Sequence, residues 1–269
     1  MNNLLEKICA NKKKEIEENK KKCSLKSLEK ILQNLKIEKR SFKKLLINSQ
    51  KNKKNFIIGE IKKSSPSAGN IIKDYNPNEI ALTYEKSGIG ALSILTDIQY
   101  FEGNIEHISI IKKSSNLPIL RKDFIIDPYQ ILQSKIYFAD AILLILSILD
   151  NIQIKEFVDI AKNYNLDCLI EVHTKNELER AIDIGYPVIG INNRNLNTLH
   201  IDDKNSINLL TNIPKEFIIV AESGISSNDQ IRLYNEKGIY NFLIGESILK
   251  SENKQKKINN LLGYDHTYK

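Results

Sequence analysis

An α/β barrel is the fold class predicted for this chain of 269 residues, and three observations predict it. Eight short apolar, β-branched runs follow one another along the sequence, with starts roughly 20 to 35 residues apart, the length of one strand plus one helix. Each run gives way to polar turn residues and then to a helical pattern, so the strands are expected to lie parallel, and eight such units close naturally into a (β/α)8 TIM barrel. The length suits one large barrel with a substantial core, and no linker, repeat or low-complexity segment marks a second unit. Residues 1–269 are therefore expected to form a single domain, with 1–50 as an N-terminal helical extension and 51–269 as the barrel. A doubly wound open sheet is the alternative, but no Gly-x-Gly-x-x-Gly turn follows the first strand.

The elements follow in order. Residues 1 to about 50 carry helical periodicity in Leu4, Leu5 and Ile8, then in Leu25, Leu28, Ile31, Leu32 and Leu35, then in Phe42, Leu45 and Leu46, enough for two or three amphipathic helices. Strands are expected at Phe56 to Ile61, Ala91 to Thr96, Pro118 to Arg121, Asp140 to Ile145, Asp167 to Val172, Pro187 to Ile191, Phe217 to Ala221 and Tyr240 to Ile244.

Composition narrows the function classes. The formal net charge is +7, yet the lysines are spread along the whole chain beside a general excess of Asn and Ile, a pattern of compositional drift rather than of an acidic partner. The densest run, Lys12-Lys13-Lys14 through Lys20-Lys21-Lys22, is interleaved with Glu15, Glu17 and Glu18, as a solvated helix face would be, and a nucleic-acid arm is not expected. Cys9, Cys23 and Cys168 share no metal-ligand or redox spacing, which fits a reducing cytoplasm. The N-terminus lacks the apolar core of a signal peptide, and Ala141 to Leu149, the most hydrophobic passage, is too short to span a bilayer. A cytoplasmic protein without a membrane partner is expected.

Chemistry gathers at the strand ends. The first strand delivers Glu60 and Lys62, two residues apart and so on one side, into the turn Ser64-Ser65-Pro66-Ser67-Ala68-Gly69; buried charges are costly unless paired or used. Lys63, by alternation, should point outward. Strand three ends in Arg121, Lys122 and Asp123, strand five in Glu171 and His173, strand six in Asn192, Asn193 and Arg194, and strand seven in Glu222 and Ser223. In a closed barrel all of these are expected to converge on one mouth, where the catalytic residues of this architecture sit. Strands seven and eight carry Glu222-Ser223-Gly224-Ile225 and Ile244-Gly245-Glu246-Ser247, and helix starts at Ser226 or Ser227 and at Glu246 or Ser247 would turn backbone N–H groups toward an anion. An ordinary strand-to-helix turn also favours glycine. His173 lies on the strand side of Glu171 without a second ligand pair, so no metal site is expected, and His107, His200 and His266 read as surface or packing residues.

The segments Glu60-Ile61-Lys62-Lys63-Ser64-Ser65-Pro66-Ser67, Thr96-Asp97-Ile98-Gln99-Tyr100-Phe101-Glu102-Gly103, Leu120-Arg121-Lys122-Asp123-Phe124, Glu171-Val172-His173, Gly190-Ile191-Asn192-Asn193-Arg194-Asn195-Leu196, Ala221-Glu222-Ser223-Gly224-Ile225 and Gly245-Glu246-Ser247 resemble the indole-3-glycerol phosphate synthase family, in order and at the expected strand ends. The sequence departs from the family pattern at Ala68, where a basic residue is frequent, at Asn104, where Ser usually follows the Gly, and at Phe138, where Gly commonly precedes Ala-Asp.

The resemblance implies ring closure of 1-(2-carboxyphenylamino)-1-deoxyribulose 5-phosphate to indole-3-glycerol phosphate with loss of carbon dioxide and water. It implies Lys122 as general acid, Glu171 as base, Lys62 as substrate anchor and aid to departure of the hydroxyl, Glu60 and Glu222 as electrostatic support, and Asn192 and Arg194 as donors to the carboxylate or sugar hydroxyls. Phe101, Phe124 and Pro66 are expected to wall the anthranilate ring, with Ser223 beside the substrate, and Ser65, Gly224, Gly245 and Glu246 at the phosphate end. No cofactor is expected, because no hydride transfer or redox change occurs, and no fused partner enzyme, because the chain ends soon after the last strand and its helix. Two other readings stay open on the residues alone: a Schiff-base aldolase or isomerase using Lys62 or Lys122, and a non-catalytic phosphate-binding barrel.

Overall fold

The structure, a computed structural model, describes residues 4–35, 38–196, 198–202, 204–210 and 213–264. Its barrel strands are β1 Phe56–Ile61, β2 Ala91–Leu95, β3 Ile119–Lys122, β4 Ala141–Ile145, β5 Asp167–Val172, β6 Val188–Asn192, β7 Ile218–Glu222 and β8 Asn241–Ile244. Each pairs in parallel with the next, and β8 pairs with β1, so the sheet closes into the expected barrel. Ends differ from the apolar runs by a residue or so for a physical reason. Backbone pairing continues past the last apolar side chain, so Lys122, Asn192 and Glu222 belong to strands rather than to turns.

Alternation divides the strand side chains into two apolar layers. Ile58, Ala91, Leu120, Leu143, Leu169, Val188, Val220 and Leu243 fill the barrel. Ile57, Leu92, Ile142, Ile170, Ile189, Ala221 and Phe242 face the surrounding helices. Those helices start where the sequence supplies caps: Asn76 and Asp127 precede Pro77 and Pro128, and Asp150 with Gln153 and Ser227 with Gln230 form capping boxes.

Three helices precede the barrel, α1 Leu4–Lys22, α2 Leu25–Asn34 and α3 Phe42–Asn52. Helix α3 closes the floor, sinking Phe42 and Leu46 into the layer that contains Val188 and Ile218, while α2 packs Leu28 against Tyr129 and Leu132. Helix α1 climbs the side of the barrel to the opposite end, where Leu5 and Ile8 join the apolar residues below the mouth. Among the described residues no helix is long and apolar enough to cross a membrane. Phe138, one of the departures noted above, has φ 68, a left-handed conformation that glycine adopts without strain.

Candidate active site

Alternation decides which strand-end residues enter the mouth. Glu60, Lys62, Lys122, Asn192, Arg194 and Glu222 line one cavity of about 320 Å³, closed on its far side by Ser223, Gly224, Gly245 and Glu246. Arg121 and Asn193, neighbours of Lys122 and Asn192 in the chain, do not. Arg121 is buried behind the sheet, where its guanidinium donates to Thr96 Oγ1 (3.1 Å), to the Gln130 carbonyl (3.0 Å) and to Asp123 Oδ2 (2.9 Å). Asn193 likewise turns away, donating to the Ser223 carbonyl and the Tyr234 hydroxyl, each at 2.9 Å. The expectation that every charged strand end converges is thereby corrected for Arg121, Asp123 and Asn193: in a pleated strand, neighbours of an inward side chain must point outward.

Two cations face each other across the cavity. Lys62 Nζ donates to Glu60 Oε1 on the β1 side. Lys122 Nζ donates to Glu171 Oε2 at 3.1 Å and lies 3.7 Å from Glu222 Oε2. Burial works against the Lys122 ammonium, but the charges of Glu171, Glu222 and Glu60 outweigh it and hold its pKa above the usual lysine range. Burial also opposes ionisation of Glu171, which Lys122 and His173 nevertheless keep below the usual carboxylate range. Glu222 goes the other way: burial first, and then the charge of Glu171, push it up to about 8, and the two carboxyl groups are close enough to share a proton. Three carboxylates around one ammonium thus titrate as one coupled group, in which Glu222 is the member moved toward neutral pH.

Close packing makes room for these carboxylates. A Cβ at Gly190 would lie 2.1 Å from Glu222 Oε1, and one at Gly245 would lie 2.6 Å from Glu60 Oε1. Gly245 therefore seats Glu60 as well as ending β8. At the β7 end Ser223 and Gly224 are both left-handed, φ 66 and 78, which folds the backbone tightly around this quarter of the cavity. The Glu246 carboxylate is occupied by Lys250 at 2.6 Å and Arg194 at 3.5 Å, leaving its backbone as the part available to a ligand.

Ser65 and Pro66 are not with these glycines. They line an adjoining cavity of about 70 Å³ together with Phe101, Phe124 and, from α1, Leu5 and Ile8. Ser65 Oγ accepts from the Ala68 backbone within its own turn, 3.2 Å away. Phe101 and Phe124 form a tilted pair with ring centroids 6.2 Å apart, and Phe101 also reaches the larger cavity. Lys63 points outward to Glu102, as alternation predicts.

Sequence reasoning missed two participants, Lys250 and Lys12, and placed His173 at the mouth without giving it a role. Lys250 lines the glycine end of the cavity and lies beyond the segments that carry the resemblance. His173 sits between Glu171 Oε1 and Glu177 Oε2, 3.3 Å from each, and these two carboxylates, against the effect of burial, raise it to about 9. Lys12, expected on a solvated face, is 1% exposed and bridges Asp97 and Asp123. The signal for it is present in the sequence: Leu5, Ile8, Lys12 and Ile16 form one helical stripe. Among the described residues no group of three or more His, Cys, Asp or Glu side chains is arranged to hold a metal ion. His107 packs against Tyr75, His200 is exposed, and His266 lies outside the described residues.

Comparison with known proteins agrees with this geometry. Residues 5–261 match the family model described as indole-3-glycerol phosphate synthase. Curated relatives of that name from Legionella pneumophila, strains Paris and Lens, are each 42% identical over 262 residues, covering 97% of this chain and 99% of the relative. Solved structures share the fold at much lower identity. A 3-hexulose-6-phosphate synthase from Salmonella typhimurium superposes with a TM-score of 0.63 at 11% identity, covering 77% of this chain and 97% of that one. KGPDC from Streptococcus mutans gives a TM-score of 0.61 at 12% identity, covering 77% of this chain and 95% of that one.

Proposed function

This chain belongs to the indole-3-glycerol phosphate synthase family, the carboxy-lyases that form the indole ring in tryptophan biosynthesis, and we propose that Lys122, Glu171 and Lys62 carry the proton transfers of that reaction in it. The observation that carries the reading is the placement of Lys122, an ammonium held between Glu171 and Glu222 and facing Lys62 across the cavity.

The chemistry follows from what the substrate must gain and lose. As the carboxylate-bearing ring carbon attacks the ketone, a C–C bond forms and the ketone oxygen takes a proton, which Lys122 supplies. Loss of carbon dioxide breaks the bond between that ring carbon and the carboxylate, and its electron pair restores the aromatic ring. Departure of the new hydroxyl as water needs a second proton, assigned to Lys62, while Glu171 removes one proton from the substrate; its hydrogen bond to Lys122 provides the way to return it. Two protons given and one taken leave a net uptake of one, which matches conversion of a carboxylate into neutral carbon dioxide. Glu60 steadies the positive charge that develops on the nitrogen, and Glu222 joins it as it gives up its proton.

Binding divides along the cavity. Arg194, Lys62 and the backbone of Ser223, Gly224, Gly245 and Glu246 are suited to a phosphate, with Lys250 beside them. Phe101, Phe124 and Pro66 supply an apolar wall for the aromatic ring, with Ser65 in the turn that carries Pro66, and Asn192 donates to a substrate oxygen. This reading needs no cofactor, treats residues 1–269 as one domain, and places the protein in the cytoplasm, in keeping with its free cysteines.

Because the chain contains no Trp, formation of indole from the carboxyphenylaminodeoxyribulose phosphate is expected to appear as new fluorescence on a dark background. Purified protein that binds this compound yet yields no emission would overturn the assignment.

A further inference from the structure

A buried lysine on the N-terminal extension meets the two loops that shape the site. Lys12 Nζ lies 3.0 Å from Asp97 Oδ2, 3.0 Å from Asp123 Oδ1 and 2.8 Å from Glu15 Oε2. Asp97 and Asp123 are each 2% exposed and come from different strand ends, β2 and β3. Asp97 caps the short helix Ile98–Phe101 by accepting from the Tyr100 backbone at 2.8 Å, and so sets the helix that presents Phe101. Asp123 directly follows Lys122; it accepts from the Phe124 backbone (2.8 Å), the Thr96 hydroxyl (2.6 Å) and Arg121 (2.9 Å). One ammonium therefore joins the loop of the proposed acid to the loop of the aromatic wall, and a neighbouring bond from Asn11 Nδ2 to Tyr100 Oη, 2.7 Å, ties the same helix again.

Such an arrangement does more than glue a helix to a barrel. A surface attachment of α1 needs only its apolar stripe, which Leu5, Ile8 and Ile16 already provide. Burying a lysine against two buried aspartates is costly and is repaid only where the geometry is complete. Without Lys12 the two adjacent loops lose the cation they share, Asp123 keeps only Arg121 as a charge partner, and the like charges of Asp97 and Asp123 would push apart Phe101 on one side and Lys122–Phe124 on the other. We propose that Lys12 is a positioning residue for catalysis, holding Lys122 and the Phe101–Phe124 wall in register from the N-terminal helix. The inference rests on the role given to Lys122 above.

The test separates positioning from mere stability. Lys12→Met is expected to lower kcat per folded molecule on the order of 10- to 100-fold, the scale of an ångström-level misplacement of a catalytic group. KM should move much less. Lys12→Arg, which keeps the charge, should recover most of the loss, and Glu15→Gln, which removes the half-exposed third carboxylate, should leave kcat unchanged. The folded fraction is read by circular dichroism at the assay temperature, and if Lys12→Met does not fold, Lys12→Gln takes its place. Wild-type kcat in the folded Met or Gln variant would overturn the proposal, as would failure of Lys12→Arg to recover activity while folding normally. Lys122→Ala reports separately on the underlying role: turnover retained in that variant sinks the assignment of the acid, whereas an inactive Lys122→Ala with a fully active Lys12→Met sinks the positioning role alone.

Discussion

Carboxylates at the two ends of the barrel are buried alike and treated in opposite ways. At the floor Asp140 accepts from the backbone N–H groups of Arg40 and Ile119, each at 2.9 Å, and from Lys112 at 2.5 and 2.7 Å. Asp167 accepts from Lys39 at 2.7 Å and from the Lys43 backbone at 2.8 Å. At the mouth Glu222, 1% exposed like Asp140, accepts from no N–H donor, has the Glu171 carboxylate as its neighbour and reaches a cation only at 3.7 Å. Floor acids are saturated and fix α3 and the strand starts in place; at the mouth Glu60 and Glu171 have lysine partners, and Glu222 is the carboxylate left without a close cation. Stability and reactivity are thus segregated along the barrel axis.

The largest test of this contrast is Lys122→Ala. Loss of a positioned acid should lower kcat by about 10³-fold, with a much smaller change in binding, since the group acts in the transition state. Steady-state kinetics beside equilibrium binding of the substrate will decide it, and equal losses in both would refute the acid role. Next comes the floor: Asp140→Asn leaves Lys112 without its counterion and should destabilise the fold by about 3 kcal/mol in denaturant titrations, with kcat unchanged below the melting range. Were Asp140→Asn to impair turnover in the folded protein, the segregation would fail.

The last expected effect is a slope rather than a fixed loss. Glu222 is raised to about 8 from an ordinary value near 4.5, so the folded protein holds that proton more tightly than the unfolded chain. The stability it contributes is complete below pH 4.5 and is lost as the pH rises toward 8. Glu222→Gln removes this dependence, and its stability relative to the parent should therefore improve between pH 5 and pH 8, measured by urea denaturation at each pH. An unchanged difference would mean that Glu222 is already ionised at pH 5.

The strands are legible because buried β-branched runs such as Ala141–Ile145 leave no other reading, and the alternation that buries them also sorts Lys62 from Lys63. Strand-end polarity alone is not enough for Arg121, Asp123 and Asn193, whose partners Thr96, Lys12 and Tyr234 lie far away in sequence. By chemical type Ser65 belongs with the glycines, whereas its turn carries it to the aromatic side of the mouth. Lys12 is hidden by company: among so many solvated lysines, only its place on an apolar stripe distinguishes it.

The fit of Gly190 under Glu222 and of Gly245 against Glu60 has an evolutionary consequence. Any side chain at either glycine collides with a carboxylate oxygen, so each glycine can change only if its acid shortens or swings aside at the same time. Gly190 with Glu222 and Gly245 with Glu60 are thereby coupled pairs, in which a change at the glycine must be absorbed by its acid.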